Sequence, residues 1–178
     1  MGVTIVEDTR QKSGKHELKH RWWEAHGIEV VRRKLDFGDY VLDVGRPTVS
    51  IDTKASVAEV ASNISGQHAR FRRECLRAAC ARCSLIVLVE NVNNIETVRD
   101  VAAWTNDVCL RCRMCNPRKP GDCTNPRLKS KRKPIQGARL SKAMATMGER
   151  YGVDFRFCRP QDAARIITEI LEADAHGR

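Results

Sequence analysis

Apolar and polar residues fall along this chain in short segments whose periods change from two to roughly four and back. Val3–Glu7 reads as an apolar strand closed by Asp8, and Ile28–Arg32 as a second strand. Tyr40–Val44 and Thr48–Ile51, rich in Val, Leu, Ile and Tyr, read as a hairpin turned by Val44-Gly45-Arg46-Pro47. Pro47 cannot donate the hydrogen bond that closes the tightest two-residue turn, and a longer turn with the same centre keeps the same register. Ser84–Glu90 is a continuous apolar run, the pattern of a fully buried central strand, and Val153–Cys158 is a further strand. Helical spacing fills the intervals. One helix starts at Ser13 or Gly14 and runs to about His26, with Leu18, Trp22 and Trp23 apolar and Gly27 as its stop. A second carries Val57, Val60, Ala61 and Ile64, a third runs from Gly66 to about Arg82, and a short one covers Ile95–Trp104. Leu140–Tyr151 and a last helix from Pro160, with Ala164, Ile167, Ile170 and Leu171 on its buried side, complete the set. Strands alternating with helices beside a hairpin predict an α/β fold, a mixed central sheet flanked by helices.

The hairpin carries the first sign of chemistry. Folded symmetrically about Gly45 and Arg46, it sets Asp39 opposite Asp52, and strand alternation turns Lys54 to the same side as Asp52. Two carboxylates hold a hard divalent cation, and a lysine beside it orients or activates a water. Those are the parts that hydrolyse a phosphodiester. The competing reading of an Asp-x-Lys on a strand is a solvated face.

Composition narrows the class. The chain has 178 residues, enough for a single domain spanning 1–178, and its 42% hydrophobic content argues against disorder. No apolar run reaches membrane-spanning length, and acids interrupt the N-terminal strand too early for a signal peptide, so the expected compartment is the cytoplasm, with no membrane partner. The formal net charge is +10, and residues 109–139 hold ten lysines and arginines against one acid, Asp122. Nearly the whole excess thus sits in one stretch, which favours contact with phosphates.

The residues Leu35-x-x-Gly38-Asp39-Tyr40 followed by Asp52-Thr53-Lys54 resemble the PD-(D/E)XK nuclease signature, in the form found in XPF-type nuclease domains. That family usually has Glu-Arg-Lys where this chain has Asp-Thr-Lys, and it places an Asp four residues after the lysine, where this chain has Ala58, with Glu59 one residue late. Asp8-Thr9-Arg10-Gln11 resembles the family's Asp-x-Arg-Glu. The string Gln67-His68-x-Arg70-Phe71-Arg72-x-Glu74 resembles a block in short phage-type members. The resemblance covers most of the chain, including Tyr151–Cys158, but not residues 105–124.

The resemblance implies a restriction-endonuclease-like fold and a metal-dependent DNA endonuclease. It further implies Mg²⁺ or Mn²⁺ on Asp39 and Asp52, assisted by Asp8 and the Thr53 carbonyl. Lys54 positions the attacking water, and Glu17 is a further acid that can join the site from the first helix. Arg10, Arg70 and Arg73 are candidates for DNA phosphates, and Gln67 or His68 for lining the site. Arg72, Arg73 and Arg77 read equally as a solvated helix face, and Glu90 reads either as a group at the active edge or as a cap. Branched DNA (flap, fork or junction), a role in repair or recombination, and a homodimer are implied by resemblance alone.

Cys109-x2-Cys112-x2-Cys115-x7-Cys123 lies in the basic insertion 105–135. Four thiols this close predict a structural Cys₄ zinc site, with an iron–sulfur cluster as the alternative. The segment holds few apolar residues and several prolines, so metal binding would supply folding energy that it otherwise lacks. It would present Arg111, Arg113, Arg118 and Lys119 as a basic surface, with Lys129, Lys131, Arg132 and Lys133 as an arm for DNA. Cys75, Cys80, Cys83 and Cys158 are expected as buried small apolar residues. The function expected from the whole is a metal-dependent endodeoxyribonuclease; the alternative is a zinc-dependent DNA-binding module with an inactive centre, and an RNA-directed nuclease would share the same site.

Overall fold

A computed structural model describes residues 3–11, 14, 16–112, 114, 123, 125, 126, 128 and 133–176. Arg113, Cys115, Arg118, Lys119, Lys129, Lys131 and Arg132 lie outside the described residues.

Six strands form one sheet in the order β2-β1-β3-β4-β5-β6. They are β1 (Thr4–Asp8), β2 (Glu29–Arg33), β3 (Tyr40–Leu42), β4 (Val49–Lys54), β5 (Ser84–Glu90) and β6 (Asp154–Cys158). The sheet is mixed: β1 is parallel to β2, β3 runs antiparallel to both β1 and β4, and β4, β5 and β6 are parallel. The helices are α1 (Glu17–Ala25), α2 (Val57–Ser65), α3 (His68–Cys80), the single-turn α4 (Asp107–Leu110), α5 (Gly137–Tyr151) and α6 (Ala163–His176).

Strand alternation divides the core in two. Leu85, Val87 and Val89 of β5 pack with Val57, Ile64, Phe71 and Met144 on the face covered by α2, α3 and α5. Ile86 and Leu88 turn the other way, onto Trp23 of α1 and Ile167 and Leu171 of α6. On that second face Trp23 Nε1 donates to Thr168 Oγ1 at 3.0 Å, which satisfies a buried indole N–H.

Several expected boundaries shift for local reasons. Helix α1 begins at Glu17 rather than at Ser13 or Gly14: Gly14 has φ +81°, and His16 begins the helix with no side-chain cap. Leu18, expected on the apolar side, is 64% exposed, and the buried positions are Lys19 and Trp23. The helix expected over Ile95–Trp104 is one 3₁₀ turn, Asp100–Ala103, because Asp100 spends its carboxylate on the backbone N–H groups of Glu96 and Thr97. Helix α5 starts three residues earlier than Leu140, at Gly137, where a Cβ would stand 2.4 Å from the carbonyl oxygens of Trp104 and Val101. Only glycine allows that close approach of two backbones. Cys75, Cys83 and Cys158 are buried as expected, and burial first, then Glu74, pushes the Cys75 thiol up to about 12. Cys80 is exposed at the end of α3, one residue before the chain leaves the helix. Among the described residues no helix is long and apolar enough to cross a membrane.

Candidate functional site

The hairpin register is the one read from the sequence. Tyr40 pairs with Ile51 and Val41 with Ser50, and continuing by one residue sets Asp39 opposite Asp52. The strands end early, leaving a longer connection from Asp43 to Thr48 around the same centre. Glu7 likewise pairs with Tyr40 across β1 and β3, and the Asp8 N–H donates to the Asp39 carbonyl at 2.8 Å. Asp8, Asp39 and Asp52 therefore stand in one row across three neighbouring strands, on one face of the sheet.

Gly38 makes this possible. Its φ is +68°, and a Cβ there would lie 2.1 Å from Ser50 Oγ and 3.1 Å from the Ile51 carbonyl. The chain thus crosses tightly over β4 before the Asp39 N–H donates to the Ile51 carbonyl at 2.7 Å. Asp39 Oδ2 accepts from the Thr53 N–H at 2.8 Å and from the Thr53 hydroxyl at 2.7 Å.

Lys54 Nζ donates to Asp52 Oδ1 at 2.7 Å and lies 2.5 Å from Oδ2 without hydrogen-bond geometry. Asp52 is 4% exposed, and its Oδ2 is buried with no hydrogen-bond partner. Lys54 also sits 5.9 Å from the centroid of the buried Phe71 ring, at the outer limit of a cation–π contact. Burial lifts the Asp52 carboxyl above the usual carboxylate range; Lys54 offsets part of this, and Asp39 and Glu74 add to it. Burial alone would lower the Lys54 ammonium, but the Asp52, Asp39 and Glu74 carboxylates outweigh it, so its pKa is raised and it stays charged at neutral pH.

These groups line a cavity of about 500 Å³ at the end of the sheet where β1, β4 and β5 finish. Arg10, Gln67 and Arg70, all expected at the site, line it too, whereas Arg73 and His68 are exposed on α3 away from it. Asp8 is 2% exposed and already engaged: Arg10 Nε lies 2.5 Å from Oδ2, and the N–H groups of Arg10 and Leu35 point at Oδ1. It stands two strands from Asp52 in the same row. Glu17 reaches only the rim, where its largely exposed carboxylate pairs with Arg21. Glu59, one residue past the family's acid position, caps α2 instead: its carboxylate accepts from the Ala55 N–H at 2.9 Å while its own N–H donates to Ser56 Oγ.

Two groups were not read as site residues from the sequence. Glu74 lines the cavity, and its Oε1 accepts from the Gly38 N–H at 3.0 Å. The signal was available in the i, i+4, i+7 spacing of Arg70, Glu74 and Arg77, which puts all three on one helix face; all three line the cavity. Lys19, 4% exposed, reaches from α1 to Glu90 at 2.5 Å and to His16 Nδ1 at 3.3 Å. Nothing in the pattern of charged residues along α1 distinguishes it. Glu90 accordingly sits at the cavity's edge as the partner of a buried lysine.

In the cysteine segment, Cys109 and Cys123 are buried and Cys112 is half-buried. Gln136 Nε2 donates to Cys109 Sγ at 3.5 Å and Asn125 Nδ2 to Cys112 Sγ at 3.6 Å. Arg111 is exposed at the end of α4. Among the described residues, no three His, Cys, Asp or Glu side chains are gathered closely enough to hold a metal ion by themselves. At the hairpin, the donors that suit a hard cation are the two carboxylates of Asp39 and Asp52, the backbone carbonyl of Thr53 and water, with Lys54 already paired to both Asp52 oxygens.

No curated protein sequence matches the chain. Two solved structures share its fold: XPF from Aeropyrum pernix, with 16% identity and a TM-score of 0.59, and XPF from Aeropyrum pernix in complex with DNA, with 17% identity and a TM-score of 0.60. They cover 97% and 99% of this chain, which spans 65% and 66% of theirs. The family model described as the ERCC4 domain matches residues 8–170. The chain belongs to the ERCC4 domain family and has the fold of an XPF-type nuclease domain.

Proposed function

We propose that this protein is a metal-dependent DNA endonuclease that hydrolyses phosphodiester bonds, with branched DNA as its substrate class. The observation that carries the reading is the buried Asp52–Lys54 ion pair set against Asp39 on the wall of the cavity. Family membership and the DNA complex of the archaeal XPF support DNA as the substrate. A Mg²⁺ or Mn²⁺ ion held by Asp39, Asp52 and the Thr53 carbonyl would supply charge for the phosphate oxygens and lower the pKa of a bound water.

The chain's own groups do the rest. Lys54, kept charged, donates rather than accepts a proton: its ammonium orients the attacking water and meets the negative charge that grows on the phosphate in the transition state. Asp52 holds Lys54 in place, with Nζ 2.7 Å from Oδ1 and 2.5 Å from Oδ2. Asp39, fixed by two bonds from Thr53, cannot swing away. Arg70 and Arg77, on the cavity wall, reach for the flanking phosphates. A homodimer and a repair or recombination role belong to the same proposal, on the resemblance alone.

The test is cleavage of labelled flap, fork, four-way-junction and linear duplex DNA with Mg²⁺, Mn²⁺ or EDTA, beside Asp52→Asn. We expect metal-dependent cutting that prefers a branched substrate and falls about a thousandfold in the variant. Tight DNA binding without cutting in either metal overturns the nuclease reading and leaves a DNA-binding module. The zinc centre is proposed on the spacing of Cys109, Cys112, Cys115 and Cys123. Metal analysis of the purified chain should find one zinc per chain; iron with visible absorbance would select the cluster instead, and neither metal would remove the proposal.

A further inference from the structure

The cavity holds an acid with little to do for the fold. Glu74 is half-buried on α3. Its Oε1 takes the Gly38 N–H, and it makes no other hydrogen bond or ion pair among the described residues. The arginines Arg70 and Arg77 share its helix face, yet Arg77 Nε donates to the Asp36 carbonyl instead. The 4%-exposed Asp52, paired with Lys54, lines the same cavity. The family's acid four residues after the lysine is absent, because that position is Ala58, and Glu59 is committed to the start of α2. The site therefore lacks an acid from α2, while α3 carries Glu74 along the wall of the same cavity.

We propose that Glu74 fills that gap: it is the third acid of the site, acting on the cation through an intervening water, while its bond to Gly38 fixes the backbone that delivers Asp39. This rests on the metal-nuclease reading above. The water is required by geometry, since no three carboxylates among the described residues are gathered closely enough to share one ion directly. An acid that orients a cation's water from the next layer out commonly changes metal affinity by ten- to a hundredfold. Glu74 is thus a positioning residue, and it ties the helix bearing Arg70 to the strand end bearing Asp39 in one hydrogen bond.

The experiment is Mn²⁺ titration of the full chain without DNA, read by electron paramagnetic resonance and by calorimetry, for the wild type, Asp52→Asn, Glu74→Gln, Glu74→Ala and Glu59→Gln. The amide of the Glu74→Gln variant still offers an oxygen to the Gly38 N–H but carries no charge, so a purely structural role predicts full rescue. We expect one Mn²⁺ per chain in the wild type and none in Asp52→Asn. Affinity should fall about tenfold in Glu74→Gln, and no less in Glu74→Ala, while Glu59→Gln stays at the wild-type value. Circular dichroism and melting temperature report whether each variant is folded. Wild-type Mn²⁺ affinity in a folded Glu74→Gln overturns the proposal while leaving the nuclease reading intact. An equal loss in Glu59→Gln also overturns it, because the effect would then be the general field of the cavity. No Mn²⁺ uptake by the wild type overturns both readings.

Discussion

The two faces of the sheet bury charge in opposite ways. On the α1 and α6 face, Lys19 meets Glu90 at 2.5 Å, and Glu7 is held by the Tyr40 hydroxyl, His20 and Arg32 at 3.1–3.2 Å. Both of these buried acids have their partners. On the α2 and α3 face, the carboxylates of Asp39, Asp52 and Glu74 all act on one buried ammonium, Lys54. A fold buries an ion at a cost of several kcal/mol and recovers it only through pairing. The balanced face shows what this chain does when charge serves structure. The unbalanced face is short of positive charge, and a divalent cation is the simplest species that supplies it.

The strongest way to break this comparison is to remove a charged group from each side of the sheet in turn. Lys19→Met leaves Glu90 buried and unpaired, and should destabilise the protein by about 3–5 kcal/mol in urea unfolding, with much of the loss recovered when Glu90→Gln is added. A loss below about 1 kcal/mol would mean the pair is solvated and the two faces are alike.

Asp52→Asn should instead flatten the dependence of stability on pH. The native Asp52 carboxyl has a raised pKa, so the metal-free folded protein keeps a proton that the unfolded chain gives up. Stability of the wild type must therefore fall as pH rises from the ordinary carboxylate range towards the raised native value, and level off above it. The variant lacks that slope. Melting curves across pH with EDTA, then with Mg²⁺, read this directly; a wild-type profile that rises over the same range would show Asp52 to be a satisfied structural acid.

The smallest expected effect on stability comes from Gly38→Ala, about 1–2 kcal/mol from the positive φ and the contact with Ser50. Its cleavage rate should drop more than its stability suggests, by about tenfold or more, because the displaced residue is the one before Asp39. Equal, small losses of both would place the Asp39 carboxylate under the control of Thr53 alone.

Most of the sheet was legible in the sequence because period-two patterns are short-range facts. Once Tyr40 and Ile51 lie in facing strands with a known centre, Asp39 and Asp52 have no other register open to them. Arg70 and Gln67 were legible by resemblance. Glu74 was not, because its relation to Gly38 spans 36 residues and exists only when α3 crosses the end of β4. Lys19 was hidden for a different reason: a lysine between Leu18 and His20 reads as surface, and only the tertiary fold turns it inward while leaving Leu18 in solvent. Helix starts were misjudged where the Asp100 side chain bonds its own backbone or where Gly14 takes a positive φ, since neither alters the apolar pattern.

The bond from Trp23 to Thr168 joins residues 145 positions apart. The α2 and α3 layer, in contrast, lies between consecutive parallel strands and closes over short stretches of chain. Contacts distant in sequence carry the larger loop-closure cost and form late. The acid-rich half of the molecule thus has the means to assemble before the half that braces it, and in a chain with Trp22 and Trp104 replaced by Phe the burial of Trp23 becomes an optical clock for that later step, read as a fluorescence change slower than the gain of helical signal.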